Sequence, residues 1–360
     1  MRRPIPAIAA IASLIVISAC STASTANPTA SPSVSVAPRG SVTLLTHDAF
    51  ALSDAVLADF TKQTGLTLKV ITAGDAGQMV AGAVLAAGSP SADVIFGVDN
   101  TLVDKALAAG VFEPYESSQS GSLIGPLKQD PNVSKVTPID YGDVCVNVDD
   151  GWYAEKGLAV PSTLDDLIKP EYRDQLVVED PGTSSPGLAF LLATINRYGD
   201  GWQDYWQALA DNGVKVSGSW TDAYEGTFTR GGGQGDRPLV VSYATSPPAE
   251  IVYATDPKPE QPSTSVMTDG CYRQVEYAGV LAGAANPEGA RKVVDWLLSD
   301  TVQADVPLSM FVFPARDNVT LPDVFTKFAG KVDAPAQLDP ATVNDGLSQW
   351  LSDWGTVMQR

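Results

Sequence analysis

A run of small and hydroxyl-bearing residues is the strongest chemical signal in the chain. Residues 180–187 read Asp-Pro-Gly-Thr-Ser-Ser-Pro-Gly and stand between an apolar, strand-like run and a predicted helix. The first N–H groups of a helix have no partner inside it, so with nearby hydroxyls they can hold a phosphate or another anion. Simple capping, with Pro186 in the first turn, explains the same residues without a ligand. The residues alone leave both interpretations open.

Aromatic and polar side chains also follow several other predicted strands. Trp220 could stack on a flat ring in a cleft, and more strongly on a cationic one. Core packing is the alternative, and we expect it for Trp202 and Trp206, which are four residues apart on one helix. The remaining strand ends are His47-Asp48, Asp75-Ala76, 97–100 and 242–247. Such ends meet at one edge of a parallel sheet, so together they predict a small-molecule site.

The elements that must position these residues alternate between strand and helix. Strands are predicted at 42–45, 66–71, 93–98, 175–178, 214–216 and 239–243. Helices are predicted after Ser53, at 78–87, at 101–109, at 164–168 after Thr163, and at 187–198. Two later helices, at 287–298 and 340–358, have Asn286 and Asp339 as their caps. This alternation is typical of parallel sheets covered by helices.

Two long extended segments, 137–147 and 272–281, predict how the α/β units are joined. If both cross between two units, the chain leaves the first unit, builds the second and returns. The predicted fold class is therefore α/β, with two lobes joined by a two-strand hinge and a ligand cleft between them. Residues 41–140 and 278–360 are predicted to form lobe 1, and residues 141–277 to form lobe 2.

The N-terminus indicates export. Arg2 and Arg3 precede an apolar run that ends in Ser18-Ala19-Cys20, which predicts a secretion signal at residues 1–19. The pattern resembles a lipoprotein signal, in which Cys20 carries the lipid; an ordinary cleaved signal is the alternative. Residues 20–40 are rich in Ser, Thr, Ala and Pro and are predicted to be a flexible tether. We therefore expect a protein anchored to the outer face of the cell membrane.

Composition excludes several classes of function. The chain has 23 basic and 42 acidic side chains, a net charge of −19 and no basic cluster, which argues against nucleic-acid binding and favours a cationic ligand over a bare anion. His47 is the single histidine, so we expect neither a His-rich metal site nor a cofactor.

Cys145 and Cys271 remain besides Cys20, and in an exported protein they predict a disulfide more than a metal site.

These residues resemble those of the thiamine-binding proteins of bacterial ABC importers. The matching segments are 46–50, 92–100, 140–142, 180–187, 220–224, 239–247 and 274–276. Their order and spacing hold from about residue 42 to Trp354, nearly the whole chain after the predicted tether. Two positions differ, because the family usually has Tyr in place of His47 and Trp-x-Tyr-Pro near residues 311–314. Phe311 can still stack there, with a weaker attraction for a cation than Trp.

The resemblance implies a periplasmic-binding-protein fold that closes on thiamine or its phosphates and delivers it to a membrane permease, as a monomer and without catalysis. It implies ligand contacts for His47, Asp75, Ala76, Ser184, Ser185, Trp220, Tyr243, Ala244, Thr245, Ser246 and Phe311. A carboxylate would suit the pyrimidine amine of thiamine, an indole its thiazolium ring, and a helix N-terminus a phosphate.

Two other functions stay open. Thiaminases resemble this fold, and Cys145 with Glu276 as the base could act in the same way, although a Cys145–Cys271 disulfide would consume the thiol. The protein could also bind ferric ion, sulfate or a phosphonate. Ferric binders typically use paired tyrosines, of which only Tyr243 is matched in its strand-end segment. The two anions leave the ring-stacking aromatics unexplained.

Overall fold

The computed structural model describes residues 40–231 and 235–359. The predicted signal at 1–19, the lipidation site at Cys20 and all but the last residue of the predicted tether at 20–40 lie outside the described residues. Within the described ranges, no helix has both the length and the apolar character needed to cross a membrane.

One mixed sheet organises the described chain. Its strands are β1 (Gly40–Thr46), β2 (Leu66–Thr72), β3 (Val94–Asp99), β4 (Phe112–Glu113), β5 (Thr137–Asp149), β6 (Leu176–Glu179), β7 (Lys215–Ser217), β8 (Leu239–Tyr243), β9 (Thr264–Leu281) and β10 (Phe313–Pro314). The order is β2-β1-β3-β9-β5-β8-β6-β7, with β4 beside β9 and β10 beside β5. Strands β1, β2 and β3 pair in parallel, as do β6, β7 and β8, whereas β5 and β9 pair antiparallel to each other and to their neighbours. The two predicted α/β units are therefore present, and the antiparallel centre was not predicted.

Helices cover the sheet. They are α1 (Asp54–Thr64), α2 (Ala76–Leu85), α3 (Val103–Ala108), α4 (Gly125–Lys128), α5 (Asp150–Lys156), α6 (Ser185–Tyr198), α7 (Trp202–Asp211), α8 (Pro248–Val252), α9 (Pro287–Leu297), α10 (Asp300–Ser309), α11 (Asp323–Phe328) and α12 (Pro340–Val357). Three 3₁₀ turns lie at 120–122, 170–172 and 199–201, and residues 222–227 form a π-helical turn.

Strands β5 and β9 connect the two parallel groups. The C-terminal part of β9, from Glu276 to Val280, pairs with β3, whereas the Val144–Val148 part of β5 pairs with β8. The two long strands pair with each other over most of their length. This is the predicted pair of crossing segments, with β9 beginning eight residues before the predicted Tyr272.

Helix α2 begins two residues before the predicted Gln78. Asp75 ends the preceding loop, and its Oδ1 accepts a hydrogen bond from the N–H of Ala76 at 2.6 Å. This cap satisfies one of the N–H groups that a helix leaves unpaired at its start, so the helix extends back to Asp75.

The helix predicted at residues 164–168 is wrong, because the segment forms hydrogen-bonded turns instead. The carboxylate of Asp166 accepts hydrogen bonds from the N–H groups of Ser162 and Thr163 at 2.8 and 3.0 Å, which folds the chain back on itself. Pro170 follows and disfavours helical geometry in the residue before it.

An aromatic cluster in the core joins α7 to the C-terminal helix. Trp206 is fully buried, donates its Nε1–H to Thr194 Oγ1 at 2.9 Å, and meets Trp354 edge-on with 5.6 Å between ring centroids. Trp202 is also buried, so the core role predicted for both tryptophans is confirmed. Through Trp354, α12 packs against a helix of the predicted second lobe. The lobe boundaries stay a prediction, because β5 and β9 continue through them without a break.

Trp206→Ala tests this packing. Removing a fully buried indole leaves a cavity and takes away one hydrogen bond from the Thr194 hydroxyl, which still donates to the carbonyl of Leu191 at 2.6 Å. We expect the free energy of unfolding to fall by about 3–5 kcal/mol, mainly through the cavity. Leu85→Ala is the control because Leu85 is 90% exposed, and it should change stability by less than about 0.5 kcal/mol. Urea unfolding followed by circular dichroism measures both; equal midpoints would contradict the assigned packing.

Candidate ligand-binding site

A cavity of about 670 Å³ is lined by residues that follow strands of both parallel groups and by Glu276 of β9. Its lining comes from the ends of β1 and β8, the starts of α2 and α6, the π-helical turn, α8 and the segment after α10. The lining residues are 47–51, Asp75, 185–186, 220–221, 224–225, 230–231, Tyr243, Ser246, 249–250, 253–254, Glu276 and 309–312. The lining thus includes residues of the predicted strand ends at 47–48, 75–76 and 242–247, whereas none of residues 97–100 lines the cavity.

Trp220 is held from three directions. Its backbone N–H donates to Asp75 Oδ2 at 2.8 Å, and its indole Nε1–H donates to Ser242 Oγ at 2.9 Å. The indole stacks on Tyr224, with 4.9 Å between centroids and 11° between the planes. Trp220 itself stays half-buried and lines the cavity. A fixed, partly open indole is suited to stacking on a flat ligand ring.

Asp75 joins the two sides of the cavity. One oxygen caps α2 at Ala76 and the other accepts from the N–H of Trp220. A second link lies beside it, where Gln78 N–H donates to the carbonyl of Thr183 at 3.1 Å. The predicted role of Asp75 as a ligand carboxylate stays a prediction; the structure gives it a positioning role as well.

Acidic groups dominate the charge of the lining. The lining contains five acidic residues, Asp48, Asp75, Glu225, Glu250 and Glu276. Burial and then the nearby charge of Asp75 raise the pKa of Asp48. Arg230 is the basic counterpart in the lining, and its Nε lies 2.9 Å from Asp149 Oδ1, so its charge is already paired. The cavity therefore attracts a cation more readily than an anion.

His47 and Glu276 meet at the floor of the cavity. His47 Nε2 lies 3.6 Å from Glu276 Oε1, an ionic distance that is too long for a hydrogen bond. Gly97 makes room for the imidazole, because a Cβ at this position would clash with the His47 ring. Its φ of +94° is also a backbone angle that residues other than glycine rarely adopt. Tyr243 lies nearby, and burial followed by the charge of Glu276 raises its pKa well above the usual range.

Hydroxyl groups gather at the start of α6 and the end of β8. Ser185 Oγ accepts from Gln274 Nε2 at 3.3 Å, and the Oγ atoms of Ser242 and Ser246 lie 3.0 Å apart. The hydroxyls of Ser184 and Thr245 are buried and have no hydrogen-bond partner among residues 40–231 and 235–359. Buried polar groups are rarely left unpaired, so these two are candidates for water or ligand contacts.

The structure brings most of the predicted ligand residues together. His47, Asp75, Ser185, Trp220, Tyr243, Ser246 and Phe311 line the cavity. Ala76, Ser184, Ala244 and Thr245 are buried beside these residues and are not part of the lining. Ligand contact by any of them stays a prediction.

Sequence reasoning missed several lining residues. Tyr224 stacks beneath Trp220, and its place in the Trp-Thr-Asp-Ala-Tyr segment was the available signal. Tyr253 meets Phe311 edge-on at 5.5 Å between centroids, and Glu250 follows on α8. The sequence assigns Glu276 a role only as the base in the thiaminase alternative. Their sequence positions carry no periodic pattern that separates them from surface residues.

The two cysteines are joined. A disulfide links Cys145 on β5 to Cys271 on β9, with 4.4 Å between their Cα atoms, and both residues are buried. Neither cysteine lines the cavity. Glu276 stands opposite Asp140 in the register of β5 and β9. Asp140 lies five positions along β5 from Cys145. The thiaminase alternative therefore lacks both a free thiol and a cysteine beside its base.

Two long antiparallel strands cross the mixed sheet, and an acidic and aromatic cavity lies beside them. This is the architecture of a protein that encloses a small solute. The sequence profile of the bacterial extracellular solute-binding proteins matches residues 89–329, and the chain belongs to this family. The family supports a location outside the cytoplasm and a role in solute binding.

Individual relatives match nearly the whole chain. The chain is 30% identical over 324 residues to the thiamine-binding periplasmic protein of Escherichia coli strain K12, covering 89% of this chain and 94% of that protein. The Salmonella typhimurium strain LT2 protein of the same name is 29% identical with the same coverage. A solved periplasmic thiamin binding protein superposes with a TM-score of 0.78 at 28% identity, over 90% of this chain and 100% of that one. The predicted resemblance and fold class are thus confirmed.

The disulfide gives a direct chemical prediction. Denatured, unreduced protein should show no alkylation of Cys145 or Cys271, and its digest should contain one cross-linked peptide pair by mass spectrometry. Because the two cysteines are 126 positions apart in the sequence, reduction should lower the free energy of unfolding by roughly 2–5 kcal/mol. Alkylation of Cys145 before reduction would contradict the pairing and revive the enzyme alternative.

Proposed function

We propose that this protein captures thiamine and its phosphates outside the cytoplasmic membrane and delivers them to the permease of an ABC importer. It would bind and release its ligand without chemical change, as a monomer. Attachment to the membrane would use a lipid on Cys20, after cleavage of residues 1–19. The names of the relatives at about 30% identity support thiamine as the ligand.

The observation that carries this proposal is the indole of Trp220 among carboxylates. Thiamine combines a flat, permanently positive thiazolium ring with an aminopyrimidine. A half-buried indole attracts a cationic ring through its π face, by about 2 kcal/mol or more where water is excluded. Carboxylates of Asp75 and Glu276 line the same cavity and favour a positive ligand further.

The phosphates of thiamine have a separate site available. Helix α6 starts at Ser185 beside the cavity, and its first N–H groups with the Ser184 and Ser185 hydroxyls would suit an anion. The surrounding carboxylates oppose a phosphate, which would therefore bind at this helix end and away from Glu276. Sulfate or a phosphonate alone would meet the same repulsion without the benefit of stacking.

Thermal unfolding tests the choice of ligand. A ligand that binds only the folded state stabilises it by about 2.7 kcal/mol at a concentration of 100 times its Kd, so thiamine should raise the Tm. The comparison includes thiamine monophosphate, thiamine diphosphate, ferric citrate, sulfate and a phosphonate. No shift with thiamine or its phosphates, beside a clear shift with another solute, would reject the assignment.

Substitution of Trp220 tests the site. Trp220→Ala removes the stacking face and keeps the backbone N–H bonded to Asp75, so thiamine affinity should fall by about thirtyfold, the equivalent of 2 kcal/mol. Trp220→Phe keeps a smaller ring and should lose about tenfold or less. Isothermal titration calorimetry measures both.

Trp152→Ala is the matched control for Trp220→Ala. Trp152 is also half-buried but lies on α5 outside the cavity, where its ring meets Tyr153 edge-on. Its removal should leave the Kd for thiamine unchanged. Equal losses in Trp152→Ala and Trp220→Ala would mean that the indole of Trp220 does not contact the ligand.

A further inference from the structure

Three acidic residues stand in one row across the centre of the sheet. Glu276 on β9 is paired with Asp99 on β3 and with Asp140 on β5. Residues directly opposite each other on neighbouring strands point to the same face, with Cβ atoms about 5 Å apart. Like charges in that position repel each other, and here Asp99 and Asp140 are fully buried. We call Asp99, Glu276 and Asp140 the acidic row.

Too few hydrogen-bond donors surround the row for all three of its carboxyl groups to be ionised. Neither carboxyl oxygen of Asp140 has a hydrogen-bond partner in the described ranges, and the same holds for Asp99 Oδ2. Asp99 Oδ1 accepts from Thr101 N–H and from Thr101 Oγ1 at 3.1 and 2.7 Å. An isolated buried carboxylate costs several kcal/mol, so protonation is the cheaper state. A protonated Asp140 can donate to Glu276, whereas two carboxylates can only repel.

The pKa values agree with this geometry. Burial, followed by the charge of Glu276, raises the pKa of Asp140 well above its usual range. Burial, with a further contribution from Glu276, raises the pKa of Asp99 to about 7. At neutral pH the row therefore holds one or more protons in a protein without ligand.

Other titratable groups surround the row. They are His47 just after β1, Asp75 at the start of α2, Tyr243 from β8 and Tyr272 of β9, with Tyr277 next to Glu276 but on the opposite face of β9. Burial raises the pKa of all three tyrosines, that of Tyr272 to about 12, so they stay neutral. Both oxygens of Asp75 already accept N–H bonds. His47 is the basic group beside the row.

Only Glu276 connects the row to the ligand, because it lines the cavity while Asp99 and Asp140 do not. We propose that Glu276 recognises the cationic part of the ligand and that the ligand's charge displaces a proton from the acidic row. The O–H bond of a buried carboxylic acid breaks, and its proton leaves through Glu276 to the buffer. This inference rests on the proposed binding of thiamine.

The sign of the pH effect follows from linkage. A bound cation favours ionised carboxylates and lowers their pKa, so binding releases protons. Affinity must then rise with pH across the range in which the buried acids lose their protons, which for Asp99 is around pH 7. Displacement of one whole proton corresponds to about a tenfold change in Kd per pH unit. A partial displacement gives a proportionally smaller slope.

Calorimetry of thiamine binding to the full-length protein tests the inference. Titrations at pH 7 in buffers with different ionisation enthalpies count the protons released, and titrations from pH 6 to 8.5 give the slope of the Kd. We expect proton release and an affinity that weakens by several-fold or more as the pH falls from 8 to 6. Asp140→Asn and Asp99→Asn, which cannot ionise, should each reduce the proton count.

Glu155→Gln is the matched control. Glu155 is 78% exposed on α5, and its substitution removes one formal negative charge without touching the row. It should keep the wild-type proton count. His47→Gln tests the other proton source, because His47 lies beside Glu276. Loss of proton release in His47→Gln with retention in Asp140→Asn would assign the proton to His47 and overturn the inference.

The outcomes separate the two proposals. Thiamine binding that releases no proton and has a constant Kd from pH 6 to 8.5 overturns the role of the acidic row and leaves the proposed function intact. Absence of thiamine binding by the wild-type protein at pH 8 overturns both. A zero proton count in the wild-type protein overturns the inference by itself, so a variant that fails to fold does not remove the test.

Discussion

The cavity depends on one buried carboxylate, that of Asp75. One of its oxygens starts α2 and the other holds the backbone of Trp220, so a single side chain connects a helix of one parallel group to the aromatic residue of the other. Asp75 is 4% exposed, and hydrogen bonds to a buried charge are strong and costly to lose. The position of the indole is therefore set by a contact between parts of the chain 145 residues apart.

The central pair of strands gives the molecule its second constraint. Asp140 and Cys145 lie five positions apart on β5, and Cys271 and Glu276 lie five positions apart on β9. Because the strands are antiparallel, cysteine meets cysteine and acid meets acid. The covalent link and the acidic row are thus about 17 Å apart along rigid strands. A register that paired Cys145 with Glu276 would have placed a cysteine beside a carboxylate, as the thiaminase alternative requires.

Much of the secondary structure was predictable from local patterns. Strand β8 spans Leu239–Tyr243 as predicted, and α9 and α12 begin after their predicted caps, Asn286 and Asp339. The predictions fail where a side chain competes for backbone N–H groups or where a distant strand pairs with the segment. Residues 164–168 turn because Asp166 competes for N–H groups, and the first half of β9 forms because β5 pairs with it.

The residue types of the site were also visible in the sequence, and most of the predicted ligand residues meet in one cavity. Their partners were not visible. Nothing near Trp220 in the chain indicates that its backbone N–H bonds to Asp75, or that its indole bonds to Ser242. Such contacts depend on side-chain directions across a sheet, which a single-sequence pattern does not encode.

By itself, the sequence determined the alternation of strand and helix, the acidic charge and the supply of an indole, hydroxyls and carboxylates near strand ends. These properties are local, because apolar periodicity and capping act within a few residues. The tertiary structure alone decided that Glu276 faces the cavity between two buried acids. Strand register sets that arrangement, and register depends on hydrogen bonds between residues more than 130 positions apart.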